Sequence, residues 1–462
     1  MGKKKKFHIP HTFTIIFALI VVMAGLTWIV PSGEFAREDV NGKSVVVPGT
    51  YQEVNPSPQG IDDIFTAPIH GFVDAAEVVG FVLLVGGAFG IVNKTGAIES
   101  GIGHAVSKMK GLQFLIIPMS MILFGLGGTT FGMCEETLPF YMIFIPLMTS
   151  LGYDSLTGIA VVFMGAATGT AASTINPFSV GTAQALAGIA PGSGIEYRAL
   201  IFVALMAISI TFVMLYANRV KKDPKKSIVY ELDKKNREHF VMDSSGIKKF
   251  TKKELSVLVV FVVGMMYMVY GVIVKGWYIP EIAMIFCIIG LLSGILGGLK
   301  QDEIVISFIG GSKDLISAAL AIALARGIVI IAQEGHIIDT ILNSAAGFLG
   351  ELPKAVFINL TLFLENLLAF LIPSSSGLAS LTIPVLAPLG DLVGVSTQEI
   401  VTAYQFGTGF TNMITPTSGV LMGALAVARI PWDKWVRFVA PLLAIIVVAG
   451  MTFLTLGLYI GF

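Results

Sequence analysis

Apolar residues in this chain come in long blocks rather than alternating with polar ones. No charged side chain interrupts Thr12 to Val30, Leu156 to Ile195, Ala199 to Leu215, Leu255 to Val274, Ile282 to Leu299 or Phe438 to Phe462. Each block is near or beyond the ~18–20 residues that carry a helix across a hydrocarbon core. The pattern predicts an all-α polytopic membrane protein. It disfavours a transmembrane β-barrel, whose strands are only ~10 residues long and alternate in polarity.

Composition sharpens this. Of 462 residues, 55% are apolar and 13% charged, against about 25% charged in a soluble domain. The low charged fraction fits the lipid bilayer as surroundings, and a formal net charge of zero suggests no nucleic acid or acidic partner. Cys134 and Cys287 lie inside apolar runs without metal spacing and read as free, buried thiols. The start "MGKKKKFHIPH" leads into an apolar run that is too long for a signal peptide and lacks a small-residue cleavage site. It reads as an uncleaved first helix with a cytoplasmic start, over residues 1–30.

Loop charge sets the orientation. Residues 31–66 hold Arg37 and Lys43 against Glu34, Glu38, Asp39, Glu53, Asp62 and Asp63, whereas residues 218–254 hold twelve basic residues. The first segment is therefore expected outside and the second, a linker, in the cytoplasm. The halves on either side of that linker repeat. Residues 62–100 align with 302–340 at an offset of 240, matching Asp62 to Asp302, Gly71 to Gly311, Asp74 to Asp314 and Gly87 to Gly327. Residues 173–188 align with 412–427 at an offset of 239, matching Pro177 to Pro416.

Parity constrains the first repeat, 67–217. The chain's start and the central linker are both cytoplasmic, so the whole first half needs an even number of crossings, yet it divides into five apolar blocks. The conflict disappears if residues 112–151 form a re-entrant hairpin, leaving crossings at about 12–30, 70–93, 155–190 and 196–217. In the second repeat, 255–462, residues 354–392 form the equivalent hairpin, inverted by the extra helix at 255–275. Inverted repeats with interrupted helices are the pattern of secondary transporters. Non-helical backbone at membrane depth survives only where protein or a cavity satisfies it.

Four breaks carry the candidate chemistry: "FGMCEETLP" (131–139), "ASTINPFSVG" (172–181), "IPSSSG" (372–377) and "TNMITPTSG" (411–419). They offer hydroxyls, amides, free carbonyls and half-helix ends, which suit a cation at carbonyls and a carboxylate at helix N-termini. The candidate substrate ligands are Glu135, Glu136 and Thr137; Asn176 and Ser179; Ser374, Ser375 and Ser376; and Asn412, Thr415, Thr417 and Ser418. Ser173, Thr174 and Thr415 are candidate sodium ligands. In ordinary membrane helices, Ser and Thr often serve only as glue.

"GGTTFGMCEETLPFYMIFIPLM", "AASTINPFSVGTAQALAGIAPGSGIEYR" and "FLIPSSSGLASLTIPVLAPLGDLVGVS" resemble the YfcC-like branch of the C4-dicarboxylate anaerobic carrier (DcuC) family, in the ion transporter superfamily. The similarity runs over nearly the whole chain. It implies an elevator-type carrier of the eleven-helix class with two opposed hairpins, acting as a homodimer in the bacterial inner membrane. Members of this branch are described as basic amino-acid antiporters of the arginine/ornithine kind, and the wider family includes dicarboxylate carriers. "LENLLAFLIPSSSG" departs from the pattern, which has an uncharged residue at the position of Glu365 and a glycine between the serines.

Carboxylates at bilayer depth cost ~2.5–3.5 kcal/mol on insertion scales. Glu135 and Glu136 precede a helix with Pro139 in its first turn, which explains one acid by the helix dipole but not two. Adjacent carboxylates suit a proton site or a guanidinium or ammonium group. Glu365 adds a third negative charge. Arg326 stands alone between "LISAALAIALA" and "GIVIIAQ", placed to pair with Glu365 or another glutamate, or to bind a substrate carboxylate. If all four face one cavity, its net charge is minus two, which favours arginine, lysine or ornithine over a dicarboxylate. Coupling to sodium, to protons or to a counter-substrate remains open. No HExxH, P-loop or GxSxG motif suggests an enzyme, and the paired hairpins argue for alternating access rather than a channel.

Overall fold

The computed structural model describes residues 12–40, 43–98, 100, 101, 104, 113–190, 192–240 and 251–462. The lysine-rich start, residue 112 of the first hairpin and residues 241–250 of the basic linker lie outside the described residues.

Helix α1 (Thr12–Leu26) leads into a loop with four short strands, β1 (Gly33–Glu34), β2 (Arg37–Val40), β3 (Lys43–Val46) and β4 (Gln52–Glu53). Strand β1 pairs antiparallel with β4, and β2 with β3. The first half continues through α2 (Ile61–Asp74), α3 (Ala76–Lys94), α4 (Ile116–Phe131), α5 (Leu138–Ser150), α6 (Ser155–Ala171), α7 (Val180–Leu186) and α8 (Ile195–Lys222). The linker contributes α9 (Tyr230–Phe240), and α10 (Lys252–Lys275) follows. The second half holds α11 (Ile279–Leu296), α12 (Gln301–Asp314), α13 (Ile316–Glu334), α14 (Ile338–Leu349) and α15 (Lys354–Leu371). It ends with α16 (Ser375–Val393), α17 (Thr397–Asn412), α18 (Gly419–Val427) and α19 (Trp432–Ile460).

Among the described residues, nine helical segments are long and apolar enough to cross a membrane. The protein is a multi-pass helical membrane protein. Helices α12 and α13 begin and end 240 residues after α2 and α3, and α18 begins 239 residues after α7.

Two bodies of helices result. In one, α2 packs on α13 and α3 on α12, with α1, α10 and α11 around them. Close approach there requires glycine: a Cβ on Gly71 would lie 2.5 Å from the Ala323 carbonyl of α13, and one on Gly311 would strike the Gly86 carbonyl of α3. Small residues at such crossings let backbones meet where lipid supplies no hydrophobic drive. In the other body, α4 packs on α6, α15 on α17, and α5 and α16 flank them, with α8 and α19 outside. Helix α18 contacts α13 and joins the two bodies.

Several boundaries differ from the sequence expectation. The break expected at 172–181 is present and falls at residues 172–179, between α6 and α7. Pro177 lacks an N–H and disfavours helix at Asn176, so an apolar run alone could not continue the helix. The first loop ends at Gly60 rather than residue 66, because Asp63 accepts the Gly60 N–H at 2.7 Å and starts α2 early. Both cysteines are half-buried rather than buried.

Candidate functional site

Each half contributes a helix pair with a polar break between its arms and, beside it, an interrupted helix. In the first pair, the rings of Phe124 on α4 and Phe140 on α5 meet at 5.1 Å, so the arms lie side by side. Gly132 ends α4 with φ +77°, a left-handed turn that glycine adopts at little cost. A 3-10 turn over Glu135–Thr137 then leads into α5. Glu136 is buried, and its Oε2 accepts the Cys134 N–H at 2.9 Å. Glu135 beside it is half-buried. The Thr137 hydroxyl donates to the Cys134 carbonyl at 2.5 Å and meets the Tyr141 hydroxyl at 3.1 Å.

The interrupted helix beside this turn is sewn to it by Thr129. The Thr129 hydroxyl accepts the Thr174 N–H at 3.0 Å and donates to the Ala172 carbonyl at 2.8 Å. Backbone freed by the break is thus satisfied inside the protein. Asn176 caps its own turn by accepting the Phe178 N–H at 2.9 Å, and its amide lies where a Gly132 side chain would stand. The Ser173 hydroxyl donates to the Thr170 carbonyl at 2.6 Å. Ser179 is buried with no partner for its hydroxyl among the described residues.

The second half repeats the plan with different residues. Ser374 caps α16 by accepting the Gly377 N–H at 3.3 Å. The Ser375 and Ser376 carbonyls accept from the Tyr404 and Ser380 hydroxyls at 2.6 and 2.9 Å. Between α17 and α18, Thr415 and Thr417 meet at 2.7 Å, and Thr417 donates to the Phe370 carbonyl at 3.2 Å. Ser418 caps α18 through the Leu421 N–H at 3.4 Å. Asn412, the last residue of α17, has a buried Oδ1 without a partner among the described residues. The two interrupted helices touch through Gln405, whose amide donates to the Thr170 carbonyl and to Ser173 at 3.4 Å.

Arg326 and Glu365 do not complete a common pocket with the glutamate pair. Arg326 pairs with Asp74 of α2, not with Glu365 or another glutamate. Glu365 is fully buried on α15 beneath Gly407 of α17. The summed charge of four residues in one cavity therefore does not apply. Gly407 is the physical reason: lacking a side chain, it lets α17 cover Glu365.

Two cavities lie at the strand-bearing loop. One, of about 430 Å³, is lined by Arg326, Ser374 and Ser380 together with Glu34, Arg37 and His336. Its ionisable side chains are taken up in pairs: Arg37 with Asp339 at 2.8 Å, His336 with Glu34 at 2.6 Å, and Arg326 with Asp74. The other, of about 740 Å³, brings Ile175 and Pro177 of the 172–181 break and Gly181 and Thr182 of α7 against Ile383 and Pro384 of α16. Glu135 and Glu136 line neither. They lie on the side of Tyr278, whose ring meets Phe178 at 5.3 Å and whose phenol feels their field.

Sequence reasoning missed Thr129, Gln405, Tyr404 and Asp74. Thr129 and the alignment of Asp74 with Asp314 were visible signals. Gln405 and Tyr404 sit inside α17, outside the quoted breaks, without any signal.

The family model described as "DcuC: C4-dicarboxylate anaerobic carrier" matches residues 9–459. The chain belongs to the C4-dicarboxylate anaerobic carrier family. A relative from Escherichia coli (strain K12), named "Putative basic amino acid antiporter YfcC", is 36% identical, covering 96% of this chain and 95% of its own. A protein of Haemophilus influenzae, named only as uncharacterized, is 34% identical over 97% of this chain and 96% of its own. Among solved structures, the Alcanivorax borkumensis YdaH transporter aligns over 98% of this chain and 99% of its own at 16% identity with TM-score 0.44. Neisseria gonorrhoeae MtrF, from a class of antimetabolite efflux pumps, aligns over 97% and 95% at 18% identity with TM-score 0.43. This DcuC-family chain is a membrane transporter of the DcuC/YfcC type.

Proposed function

We propose that this carrier exchanges basic amino acids of the arginine/ornithine type across the bacterial cytoplasmic membrane, with its N-terminus in the cytoplasm. One observation carries the reading. Among the described residues, no Lys, Arg or His lies within ion-pair distance of Glu135 or Glu136, while Arg37, His70, Arg326 and His336 are each committed to another acid. Two adjacent carboxylates at a helix break without a protein cation suit a guanidinium or ammonium group brought by the substrate. The name of the E. coli relative agrees with this choice.

The remaining ligands follow the pairing of the breaks. Thr137, Asn176 and Ser179 surround the cationic end on the first side. Ser374, Ser375, Ser376, Asn412, Thr415, Thr417 and Ser418 offer hydroxyls and the α16 and α18 N-termini to the α-carboxylate. The equal offsets of element boundaries support inverted repeats, with the α4–α8 and α15–α19 body moving against the other as an elevator within a homodimer.

A dicarboxylate substrate is the second reading, favoured by the family description and by Arg326 beside Ser374 in the smaller cavity. The pairing of Arg326 with Asp74 weakens it. Labelled uptake into proteoliposomes preloaded with arginine, ornithine, lysine, succinate or nothing separates the two. Arginine entry that requires a basic amino acid inside supports exchange; succinate entry with arginine ignored refutes it.

A further inference from the structure

We propose that Glu365 is a proton-carrying site of this transporter: a neutral carboxyl buried between α15 and α17 that loses and regains its proton during the transport cycle. This rests on the chain being a carrier, and not on which substrate it moves.

Glu365 has no exposed surface, and neither carboxyl oxygen has a hydrogen-bond partner among the described residues. The covering is tight. A Cβ on Gly407 would strike the Glu365 Cβ and lie 2.8 Å from its backbone carbon. An ionised carboxylate without a counter-charge or donor at such burial costs several kcal/mol, whereas a neutral carboxyl costs what any buried polar group costs. Little nearby relieves the charge beyond the Thr382 hydroxyl. The groups facing it are the Tyr404 phenol from α17 and the Thr382 hydroxyl from α16. Both are committed elsewhere: Tyr404 donates to the Ser375 carbonyl at 2.6 Å, and Thr382 to the Leu378 carbonyl at 3.1 Å. No Lys, Arg or His makes an ion pair with Glu365 among the described residues, Arg326 being held by Asp74.

A purely structural role does not account for this arrangement. A leucine at that place would fill the space without the penalty. The placement does account for a switch. Tyr404 stands between Glu365 and the start of α16, where Ser374 lines the smaller cavity. A shift of that turn which frees the Tyr404 hydroxyl from Ser375 would give the carboxylate a donor and a route to water. A return to the present packing would require the proton back. One proton taken up and one released per cycle leaves the protein unchanged, and the moving proton comes from and returns to bulk water.

The test uses the purified full chain. Infrared difference spectra of wild type against E365Q are expected to show a protonated-carboxyl C=O band at neutral pH that shifts in deuterium oxide. In proteoliposomes containing a pH-sensitive dye, substrate-driven proton movement is expected in wild type and in E365D. In E365Q it is expected to be lost while substrate exchange persists. Absence of the carboxyl band, or unchanged proton movement in E365Q, overturns the proposal. If E365Q fails to fold, wild type decides alone: transport without proton movement, or transport driven by a sodium gradient with none, overturns it. The infrared arm needs no substrate, so failure of the basic amino-acid reading leaves it intact.

Discussion

Replacing Asp154 by alanine is expected to cost about 3–5 kcal/mol of stability, because several neutral donors lose one shared charged acceptor, at about 1.5–3 kcal/mol per bond and less than additively. Asp154 precedes α6 and is 4% exposed. Its Oδ1 accepts from the Thr157 N–H at 2.8 Å and hydroxyl at 2.6 Å. Its Oδ2 accepts from the Tyr216 and Ser227 hydroxyls, both at 2.6 Å. The helix cap alone is worth about 1 kcal/mol, and each bond to a charged acceptor about 1.5–3 kcal/mol. These do not add in full, because all share one carboxylate. Asparagine preserves the cap through Oδ1 and loses the charge, so Asp154→Asn is expected to cost about 1.5–3 kcal/mol. Asp391→Ala, removing an exposed acid bonded to Thr397 at 3.2 Å, serves as control and should stay within about 0.5 kcal/mol. Reversible unfolding in mixed detergent micelles, followed by tryptophan fluorescence, reads all three. An Asp154→Ala cost below about 1 kcal/mol, or asparagine as harmful as alanine, refutes the role of this cluster in anchoring α6 to α8 and the linker.

Glu135→Gln and Glu136→Gln should each raise the half-saturating arginine concentration about 10- to 100-fold, the equivalent of one bond to a charged group, with unfolding midpoints unchanged in the same preparations. Gly169→Ala should cost about 1–3 kcal/mol by overpacking, since its Cβ would lie 2.8 Å from the Gly125 backbone carbon; unfolding in micelles checks it. Arg326→Ala and Asp74→Ala should show a coupling of about 0.5–1 kcal/mol in a double-mutant cycle, modest because both side chains are partly exposed. Coupling near zero would mean that the pair does not hold α2 to α13.

The all-helical membrane class was legible because it follows from uninterrupted apolar length, and the offset of 240 matched residues 62–100 to 302–340, the stretches that hold most of α2 and α3 and of α12 and α13. The breaks were legible too, since Pro177, Gly132 and the Ser374–Ser376 run leave few alternatives for the backbone. Side-chain partnership was not. Asp74 and Arg326 are far apart in sequence, and only the close approach at Gly71 brings their helices together. Glu365 looked like a pocket ligand because linear spacing from Pro373 says nothing about Gly407, more than forty residues away, which seals it. The strand-bearing loop was read only for its charge. Its walls around both cavities arise from contacts with Asp339 and α16 that no periodicity encodes.

Equilibrium binding of labelled arginine to the purified protein tests the central claim most directly, because it needs neither a gradient nor a counter-substrate. The predicted result is saturable binding that ornithine and lysine displace, that succinate leaves unchanged, and that the Glu135→Gln/Glu136→Gln double variant loses. Succinate displacing a bound label while arginine does not, or full arginine binding in the double variant, would contradict it.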